Sequence, residues 1–309
     1  MVEQIVAKHP TVFEGIGKHK YRQVELIIDK TVTPKVQVQR RIPFPKRDQF
    51  DEIIQEMEKE DIIEPVECPT EWISNVVLTP KADPTQLRMN IDMTTANAEI
   101  KRTRHVIPTL EELRYKLNGA KYFSKLDMKQ GYMQLELNPE SRYMTTFYTH
   151  RGLRRFKRLN FGTNSAAELF HEEIAQILVD IDNADNLYDD IIVYGRTQQE
   201  HDTALAQVLQ RFEDCGLTLG LSKCKFNQSE IEYFGMKFSE EGMSPTADKV
   251  KALIEAPPPT SVQEVRSFLG MANYSANFIQ HYSETTAPLR QLTRKKCPIQ
   301  LDHGMSDSF

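Results

Sequence analysis

The stretch "NADNLYDDIIVYG", residues 183–195, places two adjacent carboxylates, Asp189 and Asp190, directly before an apolar run. The run Ile191–Tyr194 has the β-branched and aromatic composition of a buried strand, and Gly195 ends it. Side chains alternate between the two faces of a regular strand, so both acids can serve one site only where a tight turn breaks the alternation. Polar residues just upstream favour such a turn, namely Asn183, Asp185 and Asn186. The stretch therefore predicts a β-hairpin with acids at its end.

Two carboxylates about 4 Å apart repel each other by roughly 4 kcal/mol at an effective dielectric constant of about 20. A divalent cation bound between them would cancel this repulsion. The alternative is a solvated hairpin whose tip ends in acids, and this stretch alone favours neither interpretation.

A third acid, Asp127, ends the strand-like run "KYFSKLD" (residues 121–127), which is followed at once by "MKQGY". Two strands that deliver carboxylates to one edge of a sheet suit a pair of divalent metal ions about 3.5 to 4 Å apart. Such a pair favours in-line phosphoryl transfer. Three acids are weak evidence without the sequence around them.

The composition is that of an ordinary globular chain, with 309 residues, 39% hydrophobic and 27% charged. It excludes a membrane protein and a disordered chain, since no apolar run approaches about 18 residues. The start, "MVEQIVAKHP", lacks the charged and apolar regions of a signal peptide, so we expect an intracellular protein. The four cysteines show no C-x-x-C pair, which indicates reduced structural thiols rather than a zinc site or disulfides.

The net charge of −5 argues against a polyanionic partner, but the charge is segregated along the chain. Residues 101–160 hold 14 Lys and Arg against 5 Asp and Glu, whereas residues 171–260 hold 7 against 17. The basic stretch is either a solvated face or the footprint of a phosphate backbone.

Secondary structure is predicted as a mixed order of helices and hairpins. A stripe of apolar residues predicts a helix near 47–60, and capping boxes predict helices that begin at "TLEEL" (109), "SAAEL" (165), "TQQEH" (197) and "SVQEV" (261). Besides the opening stretch, strands are predicted at 73–81, 87–93, 121–127, 132–138, 143–149 and 231–239. The order is typical of an α+β fold, with Pro257–Pro259 linking to a helical tail.

Other chemistries are not supported by their motifs. The run "VFEGIGKH" lacks the first glycine and the Ser or Thr of a phosphate-binding loop, and the acidic run near Asp182 lacks the glycine and glutamate of an EF-hand. No H-E-x-x-H or G-x-S-x-G motif is present.

Six runs in this order and spacing resemble the reverse transcriptase of Gypsy-type LTR retrotransposons: "FSKLDMKQGYMQLEL", "TTFYTHRGLRRFKRLNFG", "YDDIIVYG", "GLTLGLSKCKF", "FGMKFSEEGMSP" and "EVRSFLGMANY". The resemblance extends from about residue 9 nearly to the end. It implies a right-hand polymerase fold of fingers, palm and thumb, with the start of a connection or RNase H-like region. It also implies RNA- and DNA-templated DNA synthesis with magnesium.

The resemblance implies three regions. Residues 1–70 would form an N-terminal extension and the start of the fingers, 71–240 the fingers and palm, and 241–309 the thumb and connection helices with a truncated start of the RNase H-like region. The chain would be a fragment of a Pol polyprotein, located in the cytoplasm or in a retrotransposon particle.

Carried over by position, Asp127, Asp189 and Asp190 would be the catalytic, metal-binding triad of the palm. Two Mg²⁺ ions, with Mn²⁺ as a substitute, would be held chiefly by Asp127 and Asp189. The partners would be a primer on an RNA or DNA template and dNTPs, without a membrane, and the sequence leaves the oligomeric state open.

The resemblance also implies substrate contacts. Lys81 and Arg88 match positions that bind the incoming triphosphate, and Tyr132, preceded by Gly131, matches the residue under its sugar. Phe161 would line the same pocket. The hairpin that holds the primer end would comprise Phe234, Gly235 and Met236.

Three positions depart from the family pattern. Leu187 stands where many members have an aromatic residue, Thr94 where an arginine is expected, and Leu301 where a tryptophan usually opens the next domain. Two alternatives remain open. One is a non-catalytic remnant that binds nucleic acid or a protein partner, which the truncation favours, and the other is an RNA-templated RNA polymerase, because palm domains share paired acids. The bulky Tyr132 argues for deoxynucleotides and so against the second.

Overall fold

The computed structural model describes residues 2–29, 31–81, 83–102 and 108–294. The chain folds as two compact units, Met1–Lys116 with Ala120–Gln228, and Leu117–Gly119 with Ser229–Phe309. The expected start of a further domain, including Leu301, lies outside the described residues.

The helices follow the predicted pattern closely. Their bounds are α1 (Val2–Lys8), α2 (Arg47–Lys59), α3 (Leu110–Leu117), α4 (Ala166–Leu178), α5 (Gln198–Cys215), α6 (Ala247–Ile254), α7 (Val262–Tyr274), α8 (Tyr282–Thr285) and α9 (Ala287–Leu292). The helix predicted at 47–60 is confirmed as α2, and all four helices predicted from capping boxes are found. The box before α4 does not form, because the Ser165 side chain makes no capping hydrogen bond and the Glu168 carboxylate binds Arg102 instead. None of the described helices has both the length and the apolar character needed to cross a bilayer.

The first unit is built around a four-stranded antiparallel sheet. Its strands, in spatial order, are β11 (Lys225–Gln228), β5 (Tyr122–Asp127), β10 (Asp190–Gly195) and β9 (Ala184–Leu187). Helices α4 and α5 pack against this sheet. The apolar faces of these two helices join the core that covers β5 and β10, with fully buried side chains that include Phe170, Ile174, Leu205, Val208 and Phe212.

Smaller sheets complete the first unit. They are the parallel pair β1 (Gln23–Val24) with β6 (Glu136–Leu137), the hairpin β3 (Val76–Pro80) with β4 (Leu87–Ile91), and the sheet of β2 (Ile63–Val66), β8 (Gly152–Phe156) and β7 (Phe147–Thr149). The predicted strands at 73–81, 87–93 and 121–127 are confirmed as β3, β4 and β5.

Two predicted strands are found only in part. Residues 132–138 begin as a 3₁₀ helix, Gly131–Gln134, after Gln130 adopts a left-handed conformation with φ of 50°, and only Glu136–Leu137 is extended. Residues 143–145 are the end of the 3₁₀ helix Pro139–Thr145, and the predicted strand at 143–149 is found only as β7, Phe147–Thr149. That helix begins because the Asn138 side chain accepts a hydrogen bond from the Glu140 amide, so local capping overrides the β-propensity of the following aromatic and β-branched residues.

The second unit contains a three-stranded antiparallel sheet and the last helices. The strands are β12 (Glu230–Tyr233), β13 (Met236–Ser239) and β14 (Gly242–Pro245), so the strand predicted at 231–239 is a hairpin. Helices α7 and α9 enclose a small core of their own, made of Val265, Phe268, Leu289 and Leu292.

Candidate functional site

The three predicted acids meet at one end of the four-stranded sheet. Asp190 lies directly opposite Asp127 in the β10–β5 ladder, and Asp189 lies in the two-residue turn that joins β9 to β10. Directly opposed residues of an antiparallel pair have Cβ atoms about 4.5 to 5.5 Å apart. The turn is what breaks the alternation, so Asp189 and Asp190 can both serve this end of the sheet.

Lysine side chains already contact two of these carboxylates. Lys125 Nζ lies 2.8 Å from Asp190 Oδ2, and Lys223 Nζ lies 3.4 Å from Asp127 Oδ1. Asp189 is exposed and has no hydrogen bond or ion pair among the described parts of the chain. Within those same ranges, no three His, Cys, Asp or Glu side chains are placed closely enough to hold a metal ion.

The donor chemistry nevertheless fits a divalent cation. Carboxylate oxygens are the ligands that Mg²⁺ prefers, and the two ammonium groups already provide positive charge against oxygens of Asp127 and Asp190. The structure thus brings the three acids to one place without arranging them as a closed chelate.

A histidine that no motif marked holds the turn in position. Tyr188 has a φ of 56°, an unusual conformation for a bulky residue. His171 Nδ1, on α4, lies 3.3 Å from the Tyr188 amide and 3.0 Å from Asn186 Nδ2. Both of those groups can only donate, so His171 Nδ1 accepts and its proton lies on Nε2. No sequence motif indicates this role, and the only signal is a histidine beside the apolar stripe of the predicted helix.

Tyr132 lies close to Asp189 and to two phenylalanine rings. Its ring centroid is 4.8 Å from that of Phe161 and 5.3 Å from that of Phe170. Burial raises the pKa of the Tyr132 hydroxyl, and the negative charge of Asp189 raises it further. The structure therefore brings Tyr132, Phe161 and Asp189 into one neighbourhood.

Gly131 is required by packing. A Cβ atom there would lie 2.8 Å from Phe170 Cζ and 3.3 Å from the Cβ of Met128. Glycine thus lets the 3₁₀ turn approach α4 closely enough for the Tyr132 ring to contact Phe170.

Lys81 and Arg88 lie on the separate hairpin β3–β4. Arg88 is opposite Thr79, and the Lys81 amide donates to the Gln86 carbonyl at 2.8 Å, which continues the ladder. This register places both cationic side chains on the same face of the hairpin. Both are exposed, and neither pairs with an acid in the portions of the chain that the structure describes. Thr94 instead donates to Asp92 Oδ1 at 2.6 Å, so it closes a local turn rather than replacing an arginine contact.

The predicted primer hairpin is a tight turn in the second unit. Phe234 and Gly235 have φ values of 48° and 69° and join Tyr233 to Met236, the pattern of a two-residue hairpin with positive φ at both positions. Tyr274 Oη donates to the Phe234 carbonyl at 2.5 Å. Met236 is buried, so a ligand at this turn would meet the backbone and Phe234 rather than the Met236 side chain.

The basic stretch at 101–160 is not a bare cationic surface. Arginines of β8 and the loop before it pair with acids of α2 and β2: Arg151 with Asp51 at 2.6 Å, Arg154 with Glu58 at 2.5 Å and Arg155 with Glu64 at 2.6 Å. Lys157 likewise pairs with Asp61. The sequence could not show this because the acids come from residues 51–64, outside the stretch that was counted. For these side chains, pairing within the chain accounts for the charge, and a phosphate footprint stays a prediction.

A buried hydrogen-bond chain has the order of a hydrolase triad. His201 Nε2 lies 2.7 Å from Ser124 Oγ, and His201 Nδ1 lies 2.9 Å from Asp202 Oδ1. Ser124 and His201 have no exposed surface, so no substrate carbonyl can reach the hydroxyl. Ser124 Oγ also accepts from the Asn227 amide at 3.0 Å. The chain therefore fastens α5 to β5 and β11 rather than catalysing acyl transfer.

Cys224 contacts the site but is not poised to bind metal. Its Sγ accepts a hydrogen bond from the Asp127 amide at 3.5 Å, and burial raises the pKa of the thiol to about 11. The thiolate, which is the form that binds metals, is therefore disfavoured. Cys68 is exposed and Cys215 is buried, and all three are free thiols, whereas Cys297 lies outside the described residues.

Comparison with known sequences gives a consistent result. Residues 79–238 match the family described as "Reverse transcriptase (RNA-dependent DNA polymerase)". The chain is 30% identical over 331 aligned residues to the retrovirus-related Pol polyprotein from transposon opus of Drosophila melanogaster, which covers 100% of this chain and 33% of that protein. It is 31% identical over 253 residues to the corresponding polyprotein of transposon 297 of the same organism, covering 80% and 24%. It is 29% identical over 222 residues to the transposon Tf2-3 polyprotein of Schizosaccharomyces pombe, covering 71% and 17%.

Solved structures share the fold. The chain aligns with the foamy viral protease-reverse transcriptase in complex with double-stranded DNA at a TM-score of 0.85 and 21% identity, covering 99% of this chain and 54% of that one. The same viral protein in complex with an RNA/DNA hybrid aligns at a TM-score of 0.78 and 21% identity, covering 99% and 42%.

Proposed function

This chain belongs to the reverse transcriptase (RNA-dependent DNA polymerase) family, and we propose that it extends a primer with dNTPs on an RNA or DNA template. Its fold is the α+β right-hand polymerase fold. The observation that carries the proposal is the placement of Asp127 opposite Asp190, with Asp189 in the adjoining turn. The chain spans about a third or less of the length of the curated relatives it matches. The proposal therefore concerns this segment and not the activities of the whole polyproteins.

Asp127, Asp189 and Asp190 would hold two Mg²⁺ ions, or Mn²⁺ in their place, with Asp127 and Asp189 as the principal ligands. Bound at such a site, the metals lower the pKa of the attacking primer hydroxyl and neutralise charge on the triphosphate. The protein's own contribution is to fix the carboxylates. The β10–β5 register sets Asp190 against Asp127, and His171 holds the turn that carries Asp189.

The nucleotide would be bound by groups from two elements. Lys81 and Arg88, on one face of the β3–β4 hairpin, would pair with phosphate oxygens. Tyr132 would lie under the sugar, with Gly131 permitting its packing and Phe161 lining the same pocket. A bulky ring beside the sugar leaves no room for a 2′-hydroxyl, so deoxynucleotides would be selected.

The primer end would be held by the hairpin turn Phe234–Gly235, with Met236 packed beneath it. The similarity to the opus, 297 and Tf2-3 polyproteins supports a Gypsy-type retrotransposon origin and a place in the cytoplasm or a retrotransposon particle. By the same resemblance, residues 1–70 would be the N-terminal extension and start of the fingers, 71–240 the fingers and palm, and 241–309 the thumb and connection.

The competing function is a remnant that binds nucleic acid without catalysis. Two observations favour catalysis over it: all three acids are present at one end of the sheet, and Tyr132 is placed beside Asp189. The Leu187 departure does not disturb the acids, because Leu187 is a buried strand residue paired with Asp190 across the turn.

Primer extension on an RNA template, in buffer with Mg²⁺, tests the proposal directly. Asp189→Asn should abolish extension while leaving the melting temperature unchanged, because Asp189 is exposed and makes no contact that packing depends on. Asp182→Asn, at another exposed acid near the same hairpin, is the matched control and should retain activity. Equal loss from both variants, or no loss from Asp189→Asn, would exclude the assignment.

A further inference from the structure

Lys125 is placed on the same face of β5 as the catalytic carboxylate of that strand. Residues two apart in a strand share a face, so Lys125 and Asp127 project together, and Asp190 faces them from β10. The Lys125 ammonium lies 2.8 Å from Asp190 Oδ2, and each of the two side chains is 24% exposed. The pair is thus a close, partly buried ion pair inside the acidic cluster.

The second lysine in the cluster differs in burial and distance. Lys223 lies 3.4 Å from Asp127 Oδ1, and its side chain is 71% exposed. Solvent and salt screen an exposed pair of this kind, whereas a partly buried pair is screened much less. Of the two lysines, Lys125 therefore has the stronger electrostatic interaction with the carboxylates.

We propose that Lys125 is the internal counter-ion of Asp190 and that its positive charge sets the affinity of the three carboxylates for divalent cations. The inference rests on the proposed function, because it assumes that these acids bind metal. With Lys125 in place, the cluster formed by the three acids and this lysine carries a net charge of −2 instead of −3. A divalent cation that approaches Asp190 must displace the ammonium group or bear its repulsion.

This arrangement has a consequence for the order of binding. A cluster with reduced negative charge holds divalent cations weakly by itself, and a nucleoside triphosphate supplies the additional negative charge when it enters. Lys125 is therefore a positioning residue that makes retention of metal depend on the nucleotide. It acts through Asp190 and takes no part in bond formation.

The test measures binding of Mn²⁺ by the free protein, without primer, template or nucleotide, from the electron paramagnetic resonance signal of unbound Mn²⁺. Lys125→Met keeps the length of the side chain and removes its charge, and it should bind Mn²⁺ about tenfold more tightly, equivalent to about 1.4 kcal/mol. Lys125→Arg keeps the charge and should stay within about twofold of the original protein.

Lys225→Met is the matched control. Lys225 lies directly opposite Lys125 in the β11–β5 pairing, is exposed, and has no ion pair within the described residues. Its removal should change the Mn²⁺ affinity much less than Lys125→Met does, because an exposed charge without an ion pair is screened by solvent. Lys223→Met, which removes the exposed and longer pair, should change the affinity less than Lys125→Met does.

The outcomes separate this inference from the proposed function. Asp127→Asn should abolish most Mn²⁺ binding, and if it does not, the metal site itself is misassigned. If Asp127→Asn abolishes binding but Lys125→Met binds Mn²⁺ no more tightly than Lys225→Met, the counter-ion role is overturned while the proposed function stands. Should Lys125→Met fail to fold, Lys125→Gln, which keeps a hydrogen-bond donor without the charge, must show the same tightening.

Discussion

Replacement of Tyr132 by valine should convert the protein into one that accepts ribonucleotides. The ring of Tyr132 lies next to Phe161, and the charge of Asp189 raises the pKa of its hydroxyl. In the proposed function, this ring would lie under the sugar of the incoming nucleotide. A 2′-hydroxyl there would clash with the ring or be buried without a hydrogen-bond partner. Valine opens that space without adding a polar group.

Two magnitudes follow from this geometry. Rejection of a buried hydroxyl costs about 3 to 4 kcal/mol, so the original protein should favour a dNTP over the matched rNTP by about 10² to 10³-fold. The substitution also loses ring contacts at centroid distances of 4.8 and 5.3 Å. Because Tyr132 is only half-buried, the loss of unfolding free energy should be about 2 kcal/mol, below the roughly 3 to 5 kcal/mol of a fully buried ring.

The assay is single-nucleotide incorporation on a primer-template with matched dNTP and rNTP, together with thermal unfolding. Tyr132→Val should lower the ratio of dNTP to rNTP efficiency at least about tenfold while keeping measurable dNTP activity. Tyr143→Val is the control, since Tyr143 is also a half-buried tyrosine packed against the same core but lies on a different 3₁₀ helix. If the ratio is unchanged in a folded Tyr132→Val protein, Tyr132 is a core residue and the reasoning is refuted.

Further predictions concern packing, charge and the buried thiol. Gly131→Ala should cost about 1 to 3 kcal/mol of stability, measured by denaturant unfolding, because the new Cβ would meet Phe170. Gly270→Ala should not destabilise, because its new Cβ would have no atom within 4 Å apart from its chain neighbours and the backbone of its own helix. Glutamine should replace the three paired arginines, Arg151, Arg154 and Arg155, together. The melting temperature should fall, while the slope of log primer-template affinity against log salt should stay unchanged. A phosphate footprint would instead flatten that slope by about 0.9 per lost phosphate contact. Cys224 should react more slowly with iodoacetamide than Cys68, and equal rates would contradict its burial. Folding raises the pKa of the Cys224 thiol from 9.0 to about 11. The contribution of this thiol to the free energy of unfolding should therefore be present below pH 9 and be lost between pH 9 and about pH 11. Unfolding of Cys224→Ala and of the original protein across this pH range measures the difference.

The sequence by itself determined the elements that depend on local chemistry. Thr197 and Glu200 form a complete capping box at the start of α5. Helix α2, which was predicted from its apolar stripe, begins and ends within a residue of its predicted bounds. Residues of this kind act on neighbours three or four positions away, so a short window of sequence contains the whole interaction. The same holds for the turn at Asp189, because the polar residues before it and the apolar strand after it lie within one hairpin.

Tertiary structure decided which charges are free and which residues support the site. The arginines at 151–155 looked like a cationic surface, but acids about 90 to 100 residues earlier in the chain neutralise them. His171, Lys125 and Gly131 could not be assigned from their neighbours, since each acts on a group brought close by folding: the Tyr188 amide, the Asp190 carboxylate and the Phe170 ring. Electrostatic and packing interactions depend on distance in space and not on separation along the chain. The sequence therefore located the three acids, and only the fold determined the partners that fix their position and their charge.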